Sequence, residues 1–254
     1  MDKLTTMLIL KSKNILLFAL GIIDILSMGK IRGSIPNILV FHDIVYKRNS
    51  NKITKPNEVS FARANKLVQH LTSGNVFSRN INCVFTFDDS LKSIIDIIHK
   101  ILSANGQVII FINSDRIDKD NSKYLTREDL MELIGKKEGS IEIGNHLYNH
   151  PDCRNISIIH FENLLKNDAK FFEELGVRSD KFAWPFGKAN KTFISTLNSF
   201  GYFNIYVGEK KKKYKYTRNE IARVQVSELR YSKFTIRGQL LIHRVLACKT
   251  TTNI

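Results

Sequence analysis

The sequence predicts an α/β protein built on a parallel sheet, either doubly wound or closed as a barrel. Two observations carry that expectation. From residue 38 onward, short apolar runs rich in β-branched and aromatic residues alternate with amphipathic helical stretches, and such alternation is the pattern of parallel crossover units. The 254 residues, 43% of them hydrophobic, suffice for one large core, and no internal repeat or low-complexity tract interrupts the chain.

The N-terminal run NILLFALGIIDILSMG, residues 14–29, falls short of the length a membrane-spanning helix needs and is interrupted by Asp24. Lys11 and Lys13 precede it like a signal peptide's basic region, but no small-x-small cleavage site follows, and Lys30 and Arg32 come straight after. Residues 1–35 are therefore expected to form a helix that packs on the domain or lies on the cytoplasmic face of the membrane. Insertion as a signal anchor to the envelope is the alternative. The expected strands are ILVFHD (38–43), CVFTFD (83–88), VIIFIN (108–113), IEIGN (141–145), KFAWPF (181–186), YFNIYVG (202–208) and ARVQVS (222–227).

Helices are expected between most of them. Leu91, Ile94, Ile95, Ile98, Ile101 and Leu102 recur at helical spacing before a stop at Gly106, and Thr126 with Asp129 resembles a capping box opening REDLMELIGKK. Phe161, Leu164, Leu165, Phe172 and Leu175 lead to Gly176, and Phe193, Leu197 and Phe200 to Gly201. The main domain is placed at residues 36–246, with residues 247–254 as a flexible tail.

Lys and Arg outnumber Asp and Glu by 39 to 24, a net charge of +15 that favours anionic partners: nucleic acid, a phospholipid surface, or a substrate carrying phosphate or uronate. The densest basic cluster, EKKKKYKYTR at 209–218, interleaves Tyr with Lys as a single-stranded nucleic-acid groove does, but a solvated loop is the simpler reading. Nucleic acid is not the expected partner. Cys83, Cys153 and Cys248 are widely spaced and odd in number, which argues against a disulfide framework or zinc ribbon and for a reducing, cytoplasmic setting. Cys83, inside an apolar run, is expected to behave as a small buried hydrophobe.

The run CVFTFDDS ends on Asp88 and Asp89, adjacent carboxylates that each raise the cost of ionising the other. A helix N-cap needs only one of them. In parallel α/β folds functional residues gather beyond the C-terminal ends of the strands, and HLYNH after the fourth strand and WPFG at the fifth fall on that same rim. His146 and His150 are four apart, a spacing that puts both imidazoles on one side of a helical turn. With a carboxylate from the rim they form a common catalytic zinc set with a position left for water. One aspartate then binds the cation, which offsets the repulsion, while its neighbour takes a proton from water. A non-haem iron oxygenase uses the same ligand types, but its usual His-x-Asp on one strand is missing.

TFDDS, GNHLYNHPD and FAWPFG resemble the first three motifs of the polysaccharide deacetylases of carbohydrate esterase family 4, the NodB homology domain. The third has the form found in relatives that process biofilm and capsular polysaccharides, and ILVFHDI and IARVQVS are similar to that branch as well. The resemblance runs from about residue 36 to 240. It implies a distorted (β/α) barrel of about seven parallel strands and metal-dependent hydrolysis of the N-acetyl group of an amino sugar. It also implies Asp88 as general base, and Asp89, His146 and His150 as ligands of one divalent metal, zinc with cobalt or nickel as alternatives. The Phe186 N–H is then an oxyanion donor, and Trp184, Pro185 and His42 lie on the substrate side.

Three departures from the family pattern bear on the site. Ser90 stands where Gly is usual, which is permissible at negative φ. Leu147 replaces a Ser or Thr whose hydroxyl would brace the histidine loop. Ala183 replaces an Arg, so Arg223 becomes the candidate to orient the base. For the general acid, His243 in LLIHR matches the family's last motif but also fits a closing helix with a surface histidine; His42 is its rival. The expected substrate is an N-acetylated surface polysaccharide, its lipid-linked precursor or a nucleotide sugar. An O-deacetylase and a catalytically weak glycan-binding relative are the alternatives.

Overall fold

The computed structural model describes residues 37–46, 57–72, 83–136, 140–208 and 219–227, together with residues 16, 19 and 20. The basic run 209–218, His243, Cys248, the tail from 247 and all but three residues of the 14–29 run lie outside the described residues.

The described strands are β1 (Asn37–Phe41), β2 (Asp43–Val45), β3 (Glu58–Ser60), β4 (Cys83–Phe87), β5 (Gln107–Ile112), β6 (Ile141–Asn145), β7 (Lys181–Ala183), β8 (Asn204–Val207), β9 (Glu220–Ala222) and β10 (Val224–Gln225). Eight of them form one sheet in the order β10-β1-β4-β5-β6-β7-β8-β9, every neighbouring pair parallel. Its two edge strands, β9 and β10, are consecutive in the chain and separated by Arg223 alone. The polypeptide thus bridges the seam, and the sheet is a nearly closed barrel. β2 and β3 make a separate two-stranded pair.

Side chains alternate across each strand and sort into two layers. Facing outward, Leu39, Phe41, Phe85, Phe87, Ile110 and Ile112 join the largest apolar cluster, with helices α1 (Phe61–Thr72), α2 (Ile95–Ser103) and α3 (Arg127–Lys136) laid over them. On the other side Phe182, Ile205 and Val207 pack under α4 (Ile158–Glu174) and α5 (Ile194–Ser199). The intervening residues Ile38, Ile109, Phe111, Ala183 and Tyr206 form a third cluster and fill the barrel. Gly144 is required there, because a Cβ on it would sit 2.3 Å from the Phe111 ring. Among the described residues no helix is long and apolar enough to cross a membrane.

Several expected elements change. ARVQVS splits at Arg223 into parts of two strands, which is why the sheet has eight strands and not seven. KFAWPF stops at Ala183, since Pro185 has no N–H for the ladder and opens a short 3-10 turn, Pro185–Gly187. The helix after the paired aspartates starts only at Ile95, behind a 3-10 turn at Lys92–Ile94, so neither aspartate caps it. Its stop is made by Asn105, at φ 56°, one residue before the expected Gly106. Helix α1 was not anticipated, although Ala64, Leu67, Val68 and Leu71 bury at helical spacing. The Thr126–Asp129 capping box forms as expected: the Asp129 carboxylate accepts from the Thr126 N–H (2.9 Å) and the Thr126 hydroxyl from the Asp129 N–H (3.1 Å). Cys83 and Cys153 are both buried.

Candidate active site

The parallel register sets the first pair of functional groups. β1 and β4 align Phe41 with Phe87, so the next residues, His42 and Asp88, emerge side by side at the rim, with His42 Nε2 3.8 Å from Asp88 Oδ2. From the seam, Arg223 sends its guanidinium through the barrel interior across the face of Phe111, 5.2 Å from the ring centre. There Nη1 and Nη2 donate to the two Asp88 carboxylate oxygens at 2.7 and 2.8 Å, and Nη1 also donates to the Thr86 hydroxyl at 3.2 Å. Both partners are almost wholly buried. Burial pushes the Asp88 carboxyl up, but the Arg223 guanidinium, helped by the His146 and His42 imidazoles, outweighs it and holds the group below the usual carboxylate range. Ala183 carries no side chain able to do this, so Asp88 is held from the seam by Arg223.

After Asp88 the chain leaves the strand through two left-handed residues, Asp89 at φ 71° and Ser90 at φ 57°. The negative φ expected for Ser90 is thus corrected, and each such residue costs about 1–2 kcal/mol. Local bonds offset it. The Ser90 hydroxyl accepts from the Asn113 N–H at 2.8 Å, and Arg116 Nη1 donates to the Asp89 carbonyl at 3.3 Å and to Asp89 Oδ1 at 3.0 Å. This turn separates the two carboxylates: Asp88 points inward and Asp89 toward the histidines.

His146 and His150 do not meet on a helical turn. Leu147, Asn149 and His150 have φ of 66°, 63° and 45°, so the segment is a left-handed loop. Neighbouring side chains hold its backbone. Asn145 Oδ1 accepts from the Leu147 N–H (2.6 Å), Asn113 Nδ2 donates to the carbonyls of His146 and Leu147 (2.8 and 2.9 Å), Asp168 Oδ2 accepts from the Tyr148 N–H (2.9 Å), and Asp115 Oδ1 from the Asn149 N–H (2.8 Å). Leu147 itself is fully buried in the apolar cluster under α4, so at this position packing takes the place of a bracing hydroxyl.

The His146 Nδ1–H donates to the Ala183 carbonyl at 2.8 Å, which turns the Nε2 lone pair into the site. His146 Nε2 lies 3.2 Å from His150 Nε2, and His150 Nε2 lies 3.5 Å from Asp89 Oδ1. Donors about 3.3 Å apart are what a tetrahedral cation with bonds of about 2.0–2.1 Å requires, and the three donor atoms all fall within 4.8 Å of one another. The set therefore fits a small divalent cation. Burial lowers the pKa of both imidazoles, that of His150 to about 4 with help from His146, so both are neutral and able to ligate at neutral pH.

The turn at Pro185–Gly187 closes the rim. The Trp184 carbonyl accepts from the Gly187 N–H at 2.9 Å, with Phe186 at φ 58°. That bond leaves the Phe186 N–H outside the turn's own pairing. The Phe186 ring is 58% exposed, its centre 4.5 Å from that of His150. Trp184 and Pro185, expected on the substrate side, are buried instead: Trp184 stacks on Phe161 at 5.9 Å within the apolar cluster that packs under α4. The cleft itself, about 760 Å³, is lined by His42, Asp88, Asp89, His150, Phe186, Lys188 and Arg223, among others.

Seven of the expected residues, His42, Asp88, Asp89, His146, His150, Phe186 and Arg223, thus come together; His243 lies outside the described residues. Sequence reasoning missed Asn113, Asp115, Arg116 and Asp168. Asp168 left a signal, as a carboxylate on the apolar face of an amphipathic helix. Burial raises its pKa to about 7 despite its hydrogen bonds to Ser114, Tyr148 and Asn145.

A family model described as polysaccharide deacetylase matches residues 79–205. Among solved structures, the chain is similar to a polysaccharide deacetylase from Bacillus cereus, with 16% identity and a TM-score of 0.65 over 80% of this chain and 68% of that one. It is similar to the Streptococcus pyogenes deacetylase PplD in complex with acetate, with 14% identity and a TM-score of 0.68 over 81% and 97% of the two chains. IcaB from Ammonifex degensii gives 15% identity and a TM-score of 0.64 over 82% and 98%. No curated protein matches. At such identities the structural likeness is one of fold.

Proposed function

The chain belongs to the polysaccharide deacetylase family, and from that premise we propose that it is a metal-dependent N-deacetylase acting on an amino sugar of a surface polysaccharide or its precursor. The observation that carries this reading is the triangle of Asp89, His146 and His150 beside the guanidinium-bound Asp88, with Asp88, Asp89 and His150 lining one cleft. A divalent cation held by those three ligands, zinc with cobalt or nickel as alternatives, would polarise the amide carbonyl and activate water.

The chain's own groups supply the rest. Asp88 accepts a proton from the attacking water, held in orientation by Arg223. The Phe186 N–H donates to the oxygen on which negative charge develops. His42, on the described rim beside Asp88, is the group we assign to protonate the departing amine; the competing His243 is distinguished by mutating each. Water adds to the carbonyl carbon as its proton passes to Asp88, and the carbon–nitrogen bond then breaks as the nitrogen takes a proton from His42, giving acetate and a free amine. The net charge of +15 suits an anionic glycan or membrane surface, and KM should then rise with salt while kcat holds.

The test is acetate release from a panel of N-acetylated glycans and nucleotide sugars, with metal-stripped protein and added zinc, cobalt or nickel. Metal-dependent release is expected, and its loss in Asp88→Asn. Release from O-acetyl esters alone, or turnover that is indifferent to chelators, would overturn the reading.

A further inference from the structure

Asp89 Oδ1 has two claimants. It faces His150 Nε2 at 3.5 Å, which makes it the oxygen a shared cation would use, and it also accepts from Arg116 Nη1 at 3.0 Å. The same nitrogen reaches the Asp89 carbonyl at 3.3 Å, so one guanidinium clamps both the carboxylate and the backbone of a residue held at φ 71°. Arg116 comes from the short 3-10 turn Ser114–Arg116 after β5, its guanidinium 5.7 Å from the centre of the Tyr124 ring, and it is part of the wall that continues the cleft past Asp89 and His150.

These contacts have opposing consequences. The clamp keeps Asp89 in ligating posture when no cation is bound, and its positive charge then neutralises the carboxylate. A dication entering the triangle meets that same charge and must share Oδ1 with it. We propose that Arg116 is a positioning residue that both pre-sets Asp89 and competes with the metal for it, so that the centre is ordered when empty and holds its metal exchangeably. Repulsion between a unit charge and a dication about 6 Å apart is worth about tenfold in affinity even with the full dielectric screening of bulk water.

This inference rests on the metal-site reading, and the experiment separates the two. Zinc affinity of the intact protein is measured by competition with a chromophoric chelator, and thermal unfolding is followed on the metal-stripped protein. Arg116→Gln should bind zinc about tenfold more tightly while its metal-free form melts a few degrees lower. Arg116→Met, which keeps an unbranched side chain, is a second uncharged variant. Arg116→Lys keeps the charge and should stay within about twofold of the parent affinity. The opposite movement of the two readouts is the signature, because a merely structural role lowers both. Uncharged variants that melt cooperatively yet bind zinc no more tightly overturn the competition, and so does failure of both to fold. A parent protein that binds no zinc, or an Asp89→Asn variant that binds it as the parent does, overturns the metal site itself.

Discussion

Asp88 and Asp89 share a peptide bond, yet one meets a guanidinium sealed inside the barrel and the other a guanidinium at its mouth. Arg223 and Asp88 have side chains 2% exposed each, while Arg116 and Asp89 are at 22% and 15%. Breaking a buried pair leaves an uncompensated charge in a low-dielectric interior, whereas a pair reached by water gains and loses little. The same ion-pair chemistry is therefore structural on one side of the turn and adjustable on the other. A fixed base next to an exchangeable ligand is what the proposed division of labour needs.

Neutralising each carboxylate in turn separates the two pairs. Asp88→Asn should lower kcat by about 10²–10⁴-fold and, by stranding Arg223, cost about 3–5 kcal/mol in denaturant titrations. Asp89→Asn should cost no more than about 1 kcal/mol of stability and appear instead as weakened zinc binding, with activity partly restored by excess metal. If the two variants lose stability equally, burial is not what distinguishes the pairs. Arg223→Met tests the buried side from its other end. It should destabilise by about 3–5 kcal/mol, and the double variant Arg223→Met with Asp88→Leu should recover part of that loss, because no charge then remains buried.

A smaller effect is expected behind the histidine loop. The folded pKa of Asp168, about 7, lies above its unfolded value. The stability it contributes is therefore fully present below about pH 4 and lost as pH rises through about 7. Asp168→Asn cannot ionise, so it should flatten that fall, worth on the order of 2–4 kcal/mol, in urea titrations run from pH 4 to 8. A parent protein whose stability is level over that range would refute the raised pKa. The smallest effect belongs to the turn between the carboxylates. Ser90→Gly relieves the left-handed strain but loses the bond to Asn113 and gains chain entropy when unfolded, so the net change should be within about 1 kcal/mol. Ser90→Ala keeps the strain and loses the bond, and should cost about 1–2 kcal/mol by thermal unfolding.

Much of this was legible along the chain because it is local. Strand runs of β-branched residues, helices with one apolar face and the Thr126–Asp129 box are written in short windows, where each residue's preference is set by its neighbours. The motifs TFDDS, GNHLYNHPD and FAWPFG likewise placed Asp88, Asp89, His146, His150 and Phe186 on one rim, since parallel strands put all their C-terminal ends on the same side. The split of ARVQVS was not legible, because nothing within those six residues shows that they span the seam of a barrel. Trp184 was misplaced for the same reason: an indole beside a motif looks available until the helix that buries it is in position.

The parallel α/β pattern and the residue types along the rim could be read directly along the chain, for both are written in short windows of a few positions. Closure of the barrel, by contrast, brings Arg223 to Asp88 across 135 positions, Arg116 to Asp89 across 27, and Asp168 to the Tyr148 N–H across 20. Those pairings carry no periodic signal, because a charge or hydrogen-bond partner is selected by where the closed barrel brings it and by how little water remains there.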